Sequence, residues 1–147
     1  MKIAVACDHG ALALKNVLIA HLEKKGFEVV NFGTDTLNSC DYPDFVAPAA
    51  RAVVAGDCDK GIVLCTTGIG VSIACNKIHG IRCALLSDKM SARLTREHND
   101  TTLPDNLRVG TDKYVFSPTL KTFSVRRVKQ FVILPIITAP HNFHSKN

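Results

Sequence analysis

Gly61-Ile62-Val63-Leu64-Cys65-Thr66-Thr67-Gly68-Ile69-Gly70 runs from an apolar stretch through a polar, glycine-bearing turn and on into Val71-Ser72-Ile73-Ala74-Cys75-Asn76-Lys77. A short apolar run bounded by turn residues reads as a buried strand, so 61–65 is a strand and 70–77 opens a helix. The same alternation extends outward in both directions. Lys2 to Ala6 is a first strand. Ala11 to Lys25 is a helix carrying Leu14, Val17, Leu18 and Leu22 on one face, and Gly26 stops it because glycine accepts the left-handed conformation past a helix end. Phe27 to Phe32 is a second strand and 33–44 a loop, in which Tyr42-Pro43 disfavours regular structure. Phe45 to Ala55 is a helix with Pro48 near its start, broken by Gly56-Asp57. Ile81 to Leu86 is a fourth strand, and Ser87 to Glu97 a helix capped by Ser87 or Asp88. Strands alternating with helices make an α/β protein with a parallel sheet covered on both faces.

The chain has 147 residues, enough for a single domain with a substantial core. A hydrophobic fraction of 46% with 21% charged residues is an ordinary globular balance and argues against disorder. The formal net charge of +5 suits anionic ligands. Apart from Lys24-Lys25 and Arg126-Arg127-Val128-Lys129 the basic residues are scattered, and no aromatic residues interleave with them, so nucleic acid is not the expected partner. The apolar run Ile3 to Ala6 is too short for a signal-peptide core, and Phe131 to Leu134 is too short to span a bilayer. The expected compartment is the cytoplasm, with no membrane partner. The six cysteines, at 7, 40, 58, 65, 75 and 83, include no C-x-x-C pair and no histidine at zinc-finger spacing. They are expected to stay reduced, with no metal site.

Ligands of open parallel sheets bind at the carboxyl ends of the strands. Cys7-Asp8-His9-Gly10, the turn from Thr66 to Gly70, and Ser87-Asp88 all fall at that edge. In the turn, glycines let backbone N–H groups converge at a helix N-terminus, which suits a phosphate or a developing oxyanion. It lacks the lysine of a Walker A loop and the spacing of a dinucleotide fingerprint. Cys65 is the last strand residue before this turn. The nearby helix N-terminus is expected to lower its pKa and favour a thiolate able to take a proton from a carbon beside a carbonyl. The other reading is an inert core thiol, and Cys7 ends a strand in the same way, so position alone does not separate them. Asp8-His9 can bind sugar hydroxyls or phosphate, or merely cap the following helix. His98 can move a proton near neutral pH, or simply complement a helix C-terminus.

Taken in order, Lys2-Ile3-Ala4 leading to Cys7-Asp8-His9-Gly10, Phe32-Gly33-Thr34, Asp41-Tyr42-Pro43-Asp44, Leu64-Cys65 with Thr67-Gly68-Ile69-Gly70, Ser72-Ile73-Ala74 with Asn76-Lys77, Gly80-Ile81-Arg82, and Ser91-Ala92-Arg93 through Arg96-Glu97-His98-Asn99-Asp100 resemble the type B ribose-5-phosphate isomerase family, which includes galactose-6-phosphate isomerase subunits. The resemblance covers about residues 1–100. It implies a Rossmann-like three-layer sandwich and interconversion of ribose 5-phosphate and ribulose 5-phosphate through an enediolate, in the pentose phosphate pathway. A hexose 6-phosphate of the allose or galactose type, or binding without turnover, are the alternatives. It implies no cofactor and no metal, and a homodimer or tetramer with shared sites. Cys65 is the implied base, His98 the group that opens the furanose ring, and Thr67 offers a hydroxyl. Asp8, His9, Thr66, Gly68, Ile69, Gly70 and Asn99 are implied substrate contacts, with Arg108 as a phosphate contact.

Two departures stand out. Thr66 occupies a position where the family usually has glycine, and its side chain either crowds the sugar or points away. Beyond Asp100 the family continues with an apolar fifth strand, whereas here Thr101-Thr102-Leu103-Pro104-Asp105-Asn106 follows, and Pro104 is unsuited to a central strand. The expectation is a lost strand, an open sheet edge and exposed apolar surface.

Overall fold

The computed structural model describes residues 1–86, 89–99 and 129–135. Five parallel strands, β1 (Lys2–Cys7), β2 (Glu28–Asn31), β3 (Lys60–Cys65), β4 (Ile81–Leu85) and β5 (Lys129–Pro135), form one sheet in the order β2-β1-β3-β5-β4. The helices are α1 (Leu12–Lys24), α2 (Tyr42–Ala55), α3 (Ile69–Asn76) and α4 (Lys89–Asn99), and a single 3-10 turn at His9–Ala11 precedes α1. This is the α/β sandwich that the alternation of strand and helix patterns implies.

Two layers of core form because adjacent strand residues point to opposite faces. Ile3, Val5 and Cys7 of β1 and Ile62 and Leu64 of β3 meet Leu18 and Leu22 of α1 and Ala92 of α4. Ala4, Ala6, Val63 and Cys65 meet Val46, Ala49, Ala50 and Val53 of α2 and Val71 and Cys75 of α3. Both β1 and β3 are buried from their second residue to their last, as continuous apolar strands covered on both faces must be.

Three details differ from the sequence reading. α2 begins at Tyr42, with Pro43 in its first turn, where a missing N–H costs nothing. On α1, Val17 is exposed, while Lys15 is fully buried in the stripe Ala11, Lys15, Leu18, Leu22. The sheet is also not missing a strand. β5 pairs Gly61↔Phe131 through Cys65↔Pro135 on one side and Ile81↔Lys129 through Leu85↔Ile133 on the other. The apolar run at 131–134 thus enters the middle of the sheet, and β3 has a neighbour on each side. Pro135 stands at the last position of the strand, where no further ladder bond is required. Thr101 to Asn106, including Pro104, lies outside the described residues, as do Ser87, Asp88, Asp100, Arg108, Arg126 and Arg127.

Because β5 bridges β3 and β4, an interior proline should break the sheet at its centre. Val132→Pro is expected to destabilise the chain by about 1–3 kcal/mol through the lost ladder bond. Urea unfolding followed by circular dichroism would measure this, and an unchanged midpoint would show that β5 does not hold the sheet together.

Candidate active site

The parallel register carries the ends of β1 and β3 to one edge. Cys7 pairs with Leu64, so Cys65 lies one residue further along and faces the opposite side of the sheet. This separates the two cysteines that sequence position left equivalent. Cys7 is fully buried toward α1, and its thiol donates to the Thr34 carbonyl oxygen at 3.9 Å. Burial is the main reason its pKa is pushed up to about 11. Cys65 belongs to the α2–α3 side, keeps 8% exposure and opens onto the turn.

Gly68 gives that turn its shape. Its φ of 74° is left-handed, and it stands at the N-terminal cap of α3. The backbone N–H groups of Gly68 and Thr67 are directed at the Cys65 sulfur and draw its pKa down. They do not prevail: burial, followed by a hydrogen bond to the Asp8 carboxylate, raises the thiol above its ordinary value of 9.0. The expectation that the helix N-terminus leaves a ready thiolate is therefore corrected. Cys65 rests as a thiol, with a carboxylate beside it.

Asp8 is 8% exposed, and its Oδ1 has no hydrogen-bond partner among the described residues. An unsatisfied buried acceptor costs about 1–3 kcal/mol, so a carboxylate oxygen kept in this state at a ligand edge is suited to receive a substrate hydroxyl. His9 is half-buried, and its Nδ1 accepts from the Cys40 backbone N–H at 3.3 Å. That bond puts the neutral ring's proton on Nε2. Thr67 Oγ1 accepts from the Ile69 N–H at 3.4 Å, and Ser72 Oγ donates to the Ile69 carbonyl oxygen at 2.8 Å, which ties the first turn of α3 together. Thr66 is exposed and leans toward the β1 loop, where a side chain on Gly10 would collide with its Oγ1. Its hydroxyl therefore lies on the Asp8 side of the turn.

Sequence reasoning gave Tyr42 and Cys40 no role in the site. A Cβ on Gly70 would come within 2.8 Å of the Tyr42 ring, so the absence of a side chain at Gly70 lets α2 close against the turn. The Tyr42-Pro43 pair could have revealed this had it been read as a helix start. For Cys40 no local signal exists, because it reaches His9 across 31 residues of chain.

Asp8, His9, Cys65, Thr66, Thr67, Gly68, Ile69 and Gly70 come together at the carboxyl edge. His98 and Asn99 do not join them within one chain. α4 starts after β4 and carries His98 in its last turn, roughly 13 Å along the axis from Lys89. Asn99 lines a cavity of about 290 Å³ with Asn76, Arg82, Cys83, Ala84 and Thr95. Asn76 ends α3, and the turn caps the other end of that helix. Among the described residues, no cluster of three His, Cys, Asp or Glu side chains could hold a metal, and no helix is long and apolar enough to cross a membrane.

A family model described as Ribose/Galactose Isomerase matches residues 3–103. The chain belongs to the ribose/galactose isomerase family. Ribose-5-phosphate isomerase B of Escherichia coli is 47% identical over 100 residues, 68% of this chain and 67% of that protein. Among solved structures, ribose-5-phosphate isomerase B of Clostridium thermocellum superposes with a TM-score of 0.67 at 51% identity over 68% of each chain. The Thermotoga maritima enzyme of the same name superposes with a TM-score of 0.70 at 34% identity, covering 91% of this chain and 73% of that one. The family match ends at residue 103, whereas this last superposition extends over far more of the chain.

The electrostatics of Cys65 predict its reactivity. With the thiol raised above 9.0, alkylation by iodoacetamide should be slow at pH 7 and should accelerate as pH rises past that value. Asp8→Asn removes the carboxylate that raises the thiol and should move the profile to lower pH. Peptide mass spectrometry at Cys65 would follow it, and a profile that Asp8→Asn leaves in place would remove Asp8 from the account.

Proposed function

We propose that this chain interconverts ribose 5-phosphate and ribulose 5-phosphate, with Cys65 as the base. The observation that carries the reading is the grouping of the Cys65 thiol, the N–H groups of Thr67 and Gly68, and the unpartnered Asp8 Oδ1 at one strand edge. In the open-chain aldose, the Cys65 sulfur, having first released its own proton to solvent, takes the proton from C2. The C–H electrons form the C1–C2 double bond, and the carbonyl electrons move to O1. The enediolate is stabilised by N–H donors already fixed at the turn, which need no reorganisation as charge develops. Returning the same proton to C1, with O2 becoming the new carbonyl, completes the isomerisation without any external oxidant or reductant. Asp8 Oδ1 and the His9 Nε2–H hold sugar hydroxyls, and the Thr67 hydroxyl is at hand for the proton exchanged between O1 and O2.

His98, the group proposed to open the furanose ring, and Asn99 reach this edge from a second copy of the chain. Two observations support that arrangement. His98 and Asn99 lie at the far end of their own α4, and α3 and α4 expose apolar pairs at helical spacing: Ile69 (55%) with Ile73 (52%), and Met90 (57%) with Leu94 (36%). Arg108, proposed for the phosphate, lies outside the described residues. The substrate, the shared site and a cytoplasmic setting are parts of one reading, which involves no nucleic acid and no membrane.

Replacing Cys65 by alanine should reduce ribose 5-phosphate turnover by at least about 100-fold while leaving the fold intact, because the proton-transferring group is gone. Equal activity in the two proteins would end the role assigned to Cys65. The shared site has its own signature. Cys65→Ala and His98→Ala should each be inactive alone, yet regain up to about a quarter of wild-type activity when unfolded together and refolded, because each mixed dimer regenerates one intact site. No recovery on mixing would place both residues in a single chain. Parallel assays with allose 6-phosphate and galactose 6-phosphate would decide between pentose and hexose.

A further inference from the structure

Lys15 is the largest fully buried side chain among the described residues, and its charge has no place in the proton transfer just described. A buried ammonium is costly unless it is fully paired. Here its Nζ donates to the Thr34 carbonyl oxygen at 2.7 Å and to Asp35 Oδ1. Asp35 is held again by the Asn31 side-chain amide at 3.2 Å, and Asn31 Oδ1 accepts from the Gly33 N–H at 3.0 Å. The Lys15 bond and then the Asn31 bond keep the Asp35 carboxyl below its ordinary range. Gly33 is pressed so closely between Cys7 and the Lys15 stem that a Cβ there would lie 2.7 Å from the Cys7 backbone nitrogen. The Thr34 N–H bonds back to the Cys7 carbonyl oxygen at 3.3 Å. Lys15 therefore fastens the start of the 32–41 loop to α1, while the Thr34 N–H ties the same point to the carboxyl end of β1. The far end of the same loop carries Cys40, whose N–H holds His9 Nδ1, with the Cys40 sulfur 3.7 Å from that nitrogen.

We propose that Lys15 is a positioning residue for the sugar site: it anchors the 32–41 loop so that Cys40 locks the His9 imidazole in its Nε2–H form, aimed at the ligand. Lys15 touches no substrate. It acts through the loop, and His9 is the group whose orientation it sets. The catalytic consequence rests on the isomerase reading above, but the structural link does not.

The test uses the full chain with Lys15→Met, which keeps the length of the side chain, and Asp35→Asn, which changes a largely exposed residue and avoids the risk of misfolding. Side-chain nitrogen NMR of ligand-free protein reads the His9 tautomer. Wild type should show a single Nε2–H form, and both variants should show a mixture of tautomers. In assays, Lys15→Met should raise KM for ribose 5-phosphate by up to about tenfold, the worth of one neutral hydrogen bond to the sugar, with kcat within about twofold. Asp35→Asn should raise it less. In a His9→Ala background neither substitution should raise KM further. A His9 tautomer unchanged in Asp35→Asn and in folded Lys15→Met would overturn the proposal, as would KM effects that persist without His9. A wild type that fails to turn over the sugar would defeat the isomerase reading alone, because the tautomer measurement still decides the role of Lys15.

Discussion

The pairing of β3 with a parallel strand on each side is the constraint from which the site follows. β1 fixes the register that sets Cys65 one residue beyond Cys7, and strand alternation then turns the two thiols to opposite faces. β5, on the other side, carries β4 and with it α4. A central strand of an α/β sheet is covered above and below, so its last residue is the first point at which the backbone can open to a ligand. In this chain that point holds a thiol, a left-handed glycine and the start of a helix.

What the site does with the thiol is set by competition between opposing effects. Two backbone N–H groups favour the thiolate, while burial and the Asp8 carboxylate favour the thiol and together prevail. In the proposed mechanism the N–H groups are thus held for a charge that develops during reaction rather than one present at rest. The orphan oxygen of Asp8 fits the same proposal, in which a substrate hydroxyl satisfies it. Both features cost stability in the free protein, as expected of a preorganised site.

The fold of the first hundred residues was largely legible, because apolar runs, glycine stops and alternating patterns are local signals. The cradle was legible for the same reason: Thr66 to Gly70 is a strand-turn-helix written in consecutive residues. The failures were of a different kind. Lys15 falls in the apolar stripe of α1 at 11, 15, 18 and 22, and a reading that assigns charge to the surface passes over it even though its spacing marks it as inward-facing. Tyr42-Pro43 looks like a break in the sequence, yet proline in a first turn opens a helix. The family pattern places a fifth strand directly after residue 100, but the apolar run near 131 has the length and composition of a buried strand and supplies it.

By itself the sequence determined the α/β alternation, the turn that follows β3 and the family, because each of these is written in short contiguous segments. Only the tertiary structure decided which of two strand-ending cysteines faces the turn, that Asp8 raises rather than relieves the pKa of its neighbour, and that Cys40 holds His9. These are relations between residues tens of positions apart, set by strand register and by helix direction, and no local pattern encodes them.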